Sequence, residues 1–367
     1  MATSKDRAKQ TLDKIEGLAA SVVGQIKKGQ NPRLAVPLRT LANVHFNAKR
    51  KIIELGGDKQ ERLFFNVAQA KKFMQTFLVA SACKELLQAG KTTSIRDLYY
   101  MTKHTLGDTK NNTFDEQDES DPIIEDLEVT VDALREELHL FANRKGLMVG
   151  PMTIIDSGDS IDLRRQGSGG WGVPSIVEPE VIRFGKHEAE YVLLVEKEAV
   201  WSRLNEDKYW RANKCMIIHG GGQPPRGVRR LVQRMHAELK LPVYVLVDND
   251  PWGFYIYSVV KQGSINLAYE SMRMAVPSAR FLGISSSDPG RYKIPENVAI
   301  KMDDTDYRRV KQMLDYPWFQ KKEWKRELEG MTSSGRKYEI EALSRLGLTY
   351  ITDEYLPKKI RDKNWLE

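Results

Sequence analysis

Over residues 68–90, "AQAKKFMQTFLVASACKELLQAG", apolar residues recur at intervals of three and four, the spacing of one helix face, and Gly90 supplies a stop. The next stretch, "TTSIRDLYYMTKHT", opens on Thr and Ser cap candidates and predicts a second helix over 94–104. After an acidic loop, Asp121-Pro122 starts a third, "IIEDLEVTVDALREELHLFANRKG", which should run to Gly146. Two β-like runs follow, "LMVGPMTIID" and "SIDLRRQ", joined by the turn "SGDS". Three helices and then a hairpin is the order of a winged-helix unit, a fold that docks on duplex DNA. It is equally the order of a small helical bundle that touches no DNA.

From about residue 188 the periodicity changes. Buried-strand runs ("YVLLVE", "CMIIHGGG", "PVYVLVDND", "ARFLGIS") alternate with helical ones ("KEAVWSRLNEDKYWRANK", "RGVRRLVQRMHAELK", "PWGFYIYSVVKQGSINLAYES"). That alternation means an α/β domain with a parallel sheet and helical crossovers. The tail, 303–367, reads as mostly helical and basic. Between the two patterns, "QGSGGWGVPSI" is dense in Gly, Ser and Pro and reads as a linker. The expected organisation is therefore an N-terminal extension over 1–68, packed on the body or on a partner; a helical unit with hairpin over 69–165; a linker over 166–187; and the parallel-sheet domain with its helical C-terminal region over 188–367.

Composition narrows the class. The chain has 367 residues, enough for about two domains at roughly 150 residues each. No apolar run approaches the ~20 residues a membrane span needs, and the polar start "MATSKDRAKQTLDKI" lacks the apolar centre of a signal peptide. Cys83 and Cys215, the two cysteines, both sit in apolar surroundings, which suits a reducing cytoplasm. The net charge is +7 even though residues 115–128, "DEQDESDPIIEDLE", are strongly acidic, so the remainder is more basic than the total suggests. A polyanionic partner fits that balance. No GK[ST]-type phosphate loop occurs, so nucleotide hydrolysis of that kind is not expected of this chain.

Ligands of open parallel sheets bind beyond the carboxyl ends of the strands, and three acids fall there. Glu196 closes "YVLLVE"; Asp248 and Asp250 close "VYVLVDND". Taken singly, Glu196 could pair with Lys197 or Lys214, and a lone Asp-x-Asp is often a turn or a helix cap. Together, at the ends of apolar strands, the three would repel one another unless a cation joined them. Hard carboxylate oxygens suit Mg²⁺, and Gly220, Gly221 and Gly222 leave bare backbone where a phosphate can approach. On the helix expected over 94–104, Ile95, Leu98 and Tyr99 form an apolar face, whereas Arg96 and Tyr100 share another, with Lys103 and His104 one turn further on. Tyr99 is therefore the packing residue. Tyr100 lies beside positive charge, which favours the phenolate, and Arg96 could steady charge on a phosphoryl group.

These residues carry a resemblance. "SIRDLYY" resembles the active-site motif of the A subunits of topoisomerase VI and their relative, the meiotic double-strand-break transesterase. "LLVEKEAV" and "VLVDNDPWGFYIY" resemble the acidic motifs of that family's Toprim domain, "HGGGQPPRGVRRLV" the segment between them, and "KYEIEALSRLGLTYITDEYLP" its C-terminal region. The resemblance covers about residues 70–367, and the acidic loop and long N-terminal extension look most like the archaeal branch. It implies a winged-helix domain followed by a Toprim domain, with Tyr100 as nucleophile and Arg96 as motif arginine. Glu196, Asp248 and Asp250 would be the Mg²⁺ ligands. It also implies a homodimer acting on double-stranded DNA, completed to A2B2 by a GHKL-type B subunit that binds the ATP, in the nucleoid-associated cytoplasm. Tyr100 would then form a transient 5′-phosphotyrosyl link in each strand, letting one duplex pass through another. Arg226, Arg229, Arg230 and Lys103 are expected to face DNA phosphates, and His104 is a candidate proton acceptor.

Three other readings stay open on the residues alone. A dedicated break-maker would cut without resealing. A metal-dependent phosphohydrolase would use the Asp-x-Asp and have no need of Tyr100. A non-catalytic DNA-binding or scaffold protein would keep the acids as structural groups.

Overall fold

The computed structural model describes residues 4–367. The chain divides into two units: one takes the chain up to Asn43 with Leu55–Asn143, the other Val44–Glu54 with Arg144–Glu367.

The first unit is built on helices α1 (Ser4–Lys27), α2 (Val67–Ala89), α3 (Ile95–Thr102) and α4 (Ser120–Thr130), with an antiparallel ribbon of β1 (Arg33–Pro37) and β2 (Lys59–Leu63). α2 begins at Asn66, whose side chain accepts from the Ala68 N–H at 3.0 Å, and ends at Gly90 in the left-handed region, φ 61°. α3 starts where Ser94 Oγ accepts from the Asp97 N–H at 3.0 Å. Val79, Leu86, Leu98, Tyr99, Ile124 and Leu127 form one apolar core, and Ile15 of α1 joins it. Helix α1 of the N-terminal segment is thus packed on the body of this unit.

The third helix is shorter than its periodicity suggests. It stops at Thr130 because Asp132 takes φ 45° and the Ala133 N–H turns back to the Glu128 carbonyl at 2.9 Å. Later apolar residues such as Leu138 and Leu140 still fill the core, but from turns and from a short strand (Leu140–Phe141) paired in parallel with Thr93–Ser94.

The second unit carries a six-stranded sheet. In chain order its strands are β3 (Leu147–Val149), β6 (Trp171–Gly172), β8 (Tyr191–Val195), β9 (Cys215–His219), β10 (Val243–Leu246) and β11 (Arg280–Phe281). Their order across the sheet is β6-β3-β9-β8-β10-β11, with β9, β8, β10 and β11 mutually parallel. A separate antiparallel sheet joins β4 (Met152–Asp156), β5 (Asp159–Asp162) and β7 (Ile182–His187). Two expectations change here. The segment 166–187 is no free linker, since it supplies β6 and β7. The hairpin β4–β5, expected to complete the helical unit over 69–165, groups with the second unit instead.

From β8 the chain passes through α5 (Glu198–Glu206) and α6 (Tyr209–Ala212) to β9 on one side, then through α7 (Arg226–Leu239) back across β8 to β10. Right-handed crossovers in opposite directions put α5 and α7 on opposite faces of the sheet. Leu193, Ile217 and Leu246 face Trp201 and Leu204 of α5 in the core. α8 (Pro251–Gln262) lies between β10 and β11, and α9 (Asp304–Asp315), α10 (Lys322–Ser334) and shorter helical turns make up the mostly helical tail. Among the described residues no helix is long and apolar enough to cross a membrane, and Cys83 and Cys215 are both buried and unpaired.

Candidate active site

The chain direction across the sheet reverses between β8 and β10, the switch point at which open parallel sheets leave a crevice beyond their carboxyl ends. Glu196 follows β8 there, and Asp248 and Asp250 follow β10; Val195 lies opposite both Leu246 and His219 in the register. The Glu196 N–H donates to the Leu246 carbonyl at 3.0 Å, and the Asp248 N–H donates to Glu196 Oε2 at 3.2 Å. The glycine loop approaches from β9: Gly221 and Gly222 take φ 64° and 91°, and the Gly222 N–H donates to the Glu196 carbonyl at 2.9 Å.

Each aspartate already has its own partners. Asp248 is buried; its Oδ1 accepts from the Ile340 N–H at 2.8 Å and its Oδ2 lies 2.8 Å from Lys197 Nζ. Lys197 also reaches Glu341 at 3.0 Å and Glu339 at 3.5 Å. Lys197 therefore pairs with Asp248 rather than with Glu196, and Lys214 lies 3.5 Å from Glu190. Asp250 caps α8, accepting from the Gly253 N–H at 2.6 Å. The segment after α10 binds this corner through the Asn249 N–H to the Tyr338 carbonyl at 2.8 Å and the reciprocal bond at 3.0 Å.

Burial pushes the Glu196 carboxyl up to about 7, helped by the charges of Asp248 and Asp250. Burial likewise lifts Asp248 to about 6 against the opposing pull of Lys197, and raises Asp250. Among the described residues, no three His, Cys, Asp or Glu are gathered closely enough to hold an ion as they stand. The donor chemistry nevertheless fits a hard divalent cation. Three carboxylates follow the ends of two adjacent parallel strands, and burial disfavours the charged form of each, a cost that added positive charge relieves.

In the first unit, α3 separates its two tyrosines as its periodicity predicts. Tyr99 is buried, and its Oη donates to the Asp115 carbonyl at 2.9 Å. Tyr100 is 61% exposed, and Arg96 on the same face is exposed with no hydrogen-bond or ion-pair partner among the described residues. Lys103 does not serve Tyr100: it ends the helix in extended backbone, donating to Tyr99 Oη at 2.6 Å and to the Asp115 carbonyl at 2.9 Å. His104 is exposed and lies beyond the helix, one residue past its C-cap.

The arginines of α7 are turned inward. Arg226 pairs with the fully buried Glu270. Arg229 is 4% exposed, and burial pushes its guanidinium down to about 10. Arg230 grips Glu178 with two bonds of 3.0 Å. None of the three forms the open cationic face their spacing suggested. Sequence reasoning also passed over the role of Glu339, Ile340 and Glu341; the visible signal was the acidic alternation in "KYEIEAL", which carried no indication of its partner.

Comparison with known proteins follows the same division. Residues 71–140 match the family described as Type IIB DNA topoisomerase, and residues 191–360 match the Toprim-domain family of the topoisomerase 6 A subunit and Spo11. The A subunit of Type 2 DNA topoisomerase 6 from Pyrococcus abyssi is 44% identical over 96% of this chain and 94% of its own length. The protein of that name from Sulfurisphaera tokodaii is 40% identical over 99% and 97%. The A3 subunit of DNA topoisomerase 6 from Oryza sativa subsp. indica is 35% identical over 96% of this chain and 78% of its own length.

Proposed function

The chain belongs to the topoisomerase VI A-subunit family of type IIB DNA topoisomerases, and from that premise we propose that it cuts and rejoins duplex DNA through Tyr100. One observation carries the reading: of the adjacent tyrosines, Tyr100 alone is solvent-facing, on a helix within the segment that matches the type IIB family. The helices of the first unit would present it to a duplex in winged-helix fashion.

In this reading Tyr100 Oη attacks a backbone phosphorus. The Oη–P bond forms, the P–O3′ bond breaks, and the 3′ oxygen leaves as a hydroxyl while the phenol gives up its proton. One phosphodiester replaces another, so the reverse attack by the 3′ hydroxyl reseals the strand at little net cost. Arg96 supplies fixed positive charge to the phosphoryl oxygens. Glu196, Asp248 and Asp250 would hold Mg²⁺, which when bound supplies charge neutralisation at the phosphate and the leaving oxygen. Two copies of the chain would cut the two strands, the tyrosine of each copy working with the acids of the other. A GHKL-type B subunit would complete A2B2 and bind the ATP, in the nucleoid-associated cytoplasm.

The test is to incubate the chain and its B subunit with supercoiled plasmid, ATP and Mg²⁺, then denature the mixture. Relaxed plasmid, and protein joined to 5′ ends, are expected from the wild type and not from Tyr100→Phe. Covalent capture that persists in Tyr100→Phe would overturn the assignment.

A further inference from the structure

Lys197 occupies an unusual place for a cation. It is the N-cap residue of α5, where its side chain makes no cap hydrogen bond. N-caps favour Ser, Thr, Asp or Asn, and the positive end of the helix dipole disfavours a lysine. Helix stability therefore does not explain it. What its ammonium does instead is lie 2.8 Å from Asp248, a carboxylate whose side chain is 5% exposed. The same ammonium stands 3.0 Å from Glu341 and 3.5 Å from Glu339, both on the segment whose Ile340 N–H holds the other Asp248 oxygen. One cation thus has three carboxylate neighbours, of which one is a buried candidate ligand and two are half-exposed.

We propose that Lys197 is a built-in competitor of the divalent ion for Asp248, with Glu341 and Glu339 as its alternative resting place. This rests on the reading that Glu196, Asp248 and Asp250 hold Mg²⁺. In the ion-free chain Lys197 balances the Asp248 charge. An ammonium and a divalent ion cannot share one carboxylate edge without strong repulsion, so ion binding moves the lysine across to the two glutamates. An ammonium has three rotatable donors on a flexible stem, which lets it make that exchange without backbone movement. The lysine thereby weakens Mg²⁺ binding in exchange for keeping the empty corner from carrying uncompensated buried charge. Lys197 is a positioning residue in this scheme, acting through Asp248.

The full chain is tested by calorimetric titration with Mg²⁺ and by the Mg²⁺-induced shift in Tm. Lys197→Met should bind Mg²⁺ on the order of tenfold more tightly than wild type and show a larger Tm gain, because the competitor is gone. Glu339→Gln/Glu341→Gln should bind on the order of tenfold more weakly, because the lysine has lost its other berth. Adding those two changes to Lys197→Met should have no further effect. Should Lys197→Met not fold, the opposite-sign prediction at the half-exposed glutamates stands alone. Lys197→Met binding no more tightly than wild type, or the double glutamine variant binding as well as wild type, overturns the proposal. Mg²⁺ binding that survives Asp248→Asn overturns the metal reading itself, and the competition with it.

Discussion

The rings of Tyr99 and Tyr100 lie 5.0 Å apart, edge to face, yet Tyr99 is 6% exposed and Tyr100 61%. A single step of about 100° around α3 takes one hydroxyl into a bond with the Asp115 carbonyl and leaves the other in solvent. The pair therefore separates structure from chemistry. Tyr99→Phe should lower stability by about 1 kcal/mol, the worth of its hydrogen bonds, and leave covalent capture of DNA intact. Tyr100→Phe should keep the melting temperature and abolish capture. Thermal unfolding and 5′-end labelling measure the two effects; turnover in Tyr100→Phe would favour a phosphohydrolase acting through Asp248 and Asp250.

Asp250 has one role visible in the fold and another proposed for it. As the α8 cap it accepts from the Gly253 N–H at 2.6 Å. Asp250→Ala should cost about 1 kcal/mol through loss of the cap, whereas Asp250→Asn retains an accepting oxygen and most of that stability. Both should weaken Mg²⁺ binding, since both remove the charge. Unfolding curves alongside Mg²⁺ titrations separate the roles; an Asn variant as unstable as the Ala variant would contradict the capping account.

Lys261 gives a pH dependence independent of the acidic corner. It is 5% exposed and donates to the Ala279 carbonyl at 2.7 Å, and burial pushes it down to about 7. Lys321, Lys51 and Arg280 push it the same way, and Glu367 opposes them. The folded state thus binds this proton less tightly than the unfolded chain, so stability increases as pH rises from about 7 towards the ordinary lysine range near ~10.5. Lys261→Met should be more stable than wild type near pH 6 by on the order of 2–4 kcal/mol, with the gap shrinking as pH approaches 10. The Ala279 carbonyl keeps the Tyr257 hydroxyl at 2.7 Å, so the substitution orphans no acceptor. Denaturant melts across that range test it; a gap that widened with pH would refute the burial argument.

Arg230 holds Glu178 in a bidentate pair, and Arg273 reaches the same carboxylate at 2.9 Å. Arg230→Ala should therefore cost about 2 kcal/mol of stability while leaving the salt dependence of DNA binding unchanged. A shallower salt slope with intact stability would return Arg230 to the DNA-facing group.

Much of this was legible in short windows of sequence. Helical spacing put Tyr99 and Tyr100 on different faces, and the apolar runs ending in Glu196 and Asp248 marked strand ends. Both are local facts, because a period of 3.6 or 2 is written into neighbouring residues. What local spacing does not encode is what covers a face or answers a charge. α4 stops at Thr130 through a backbone turn at Asp132, although the apolar periodicity runs on. The basic face of α7 is closed by acids such as Glu178, 52 residues from Arg230. Lys197 meets Glu341 across 144 residues of chain. Such partners are chosen by how distant segments pack, since an ion pair forms wherever folding brings opposite charges out of water together, whatever their separation along the chain.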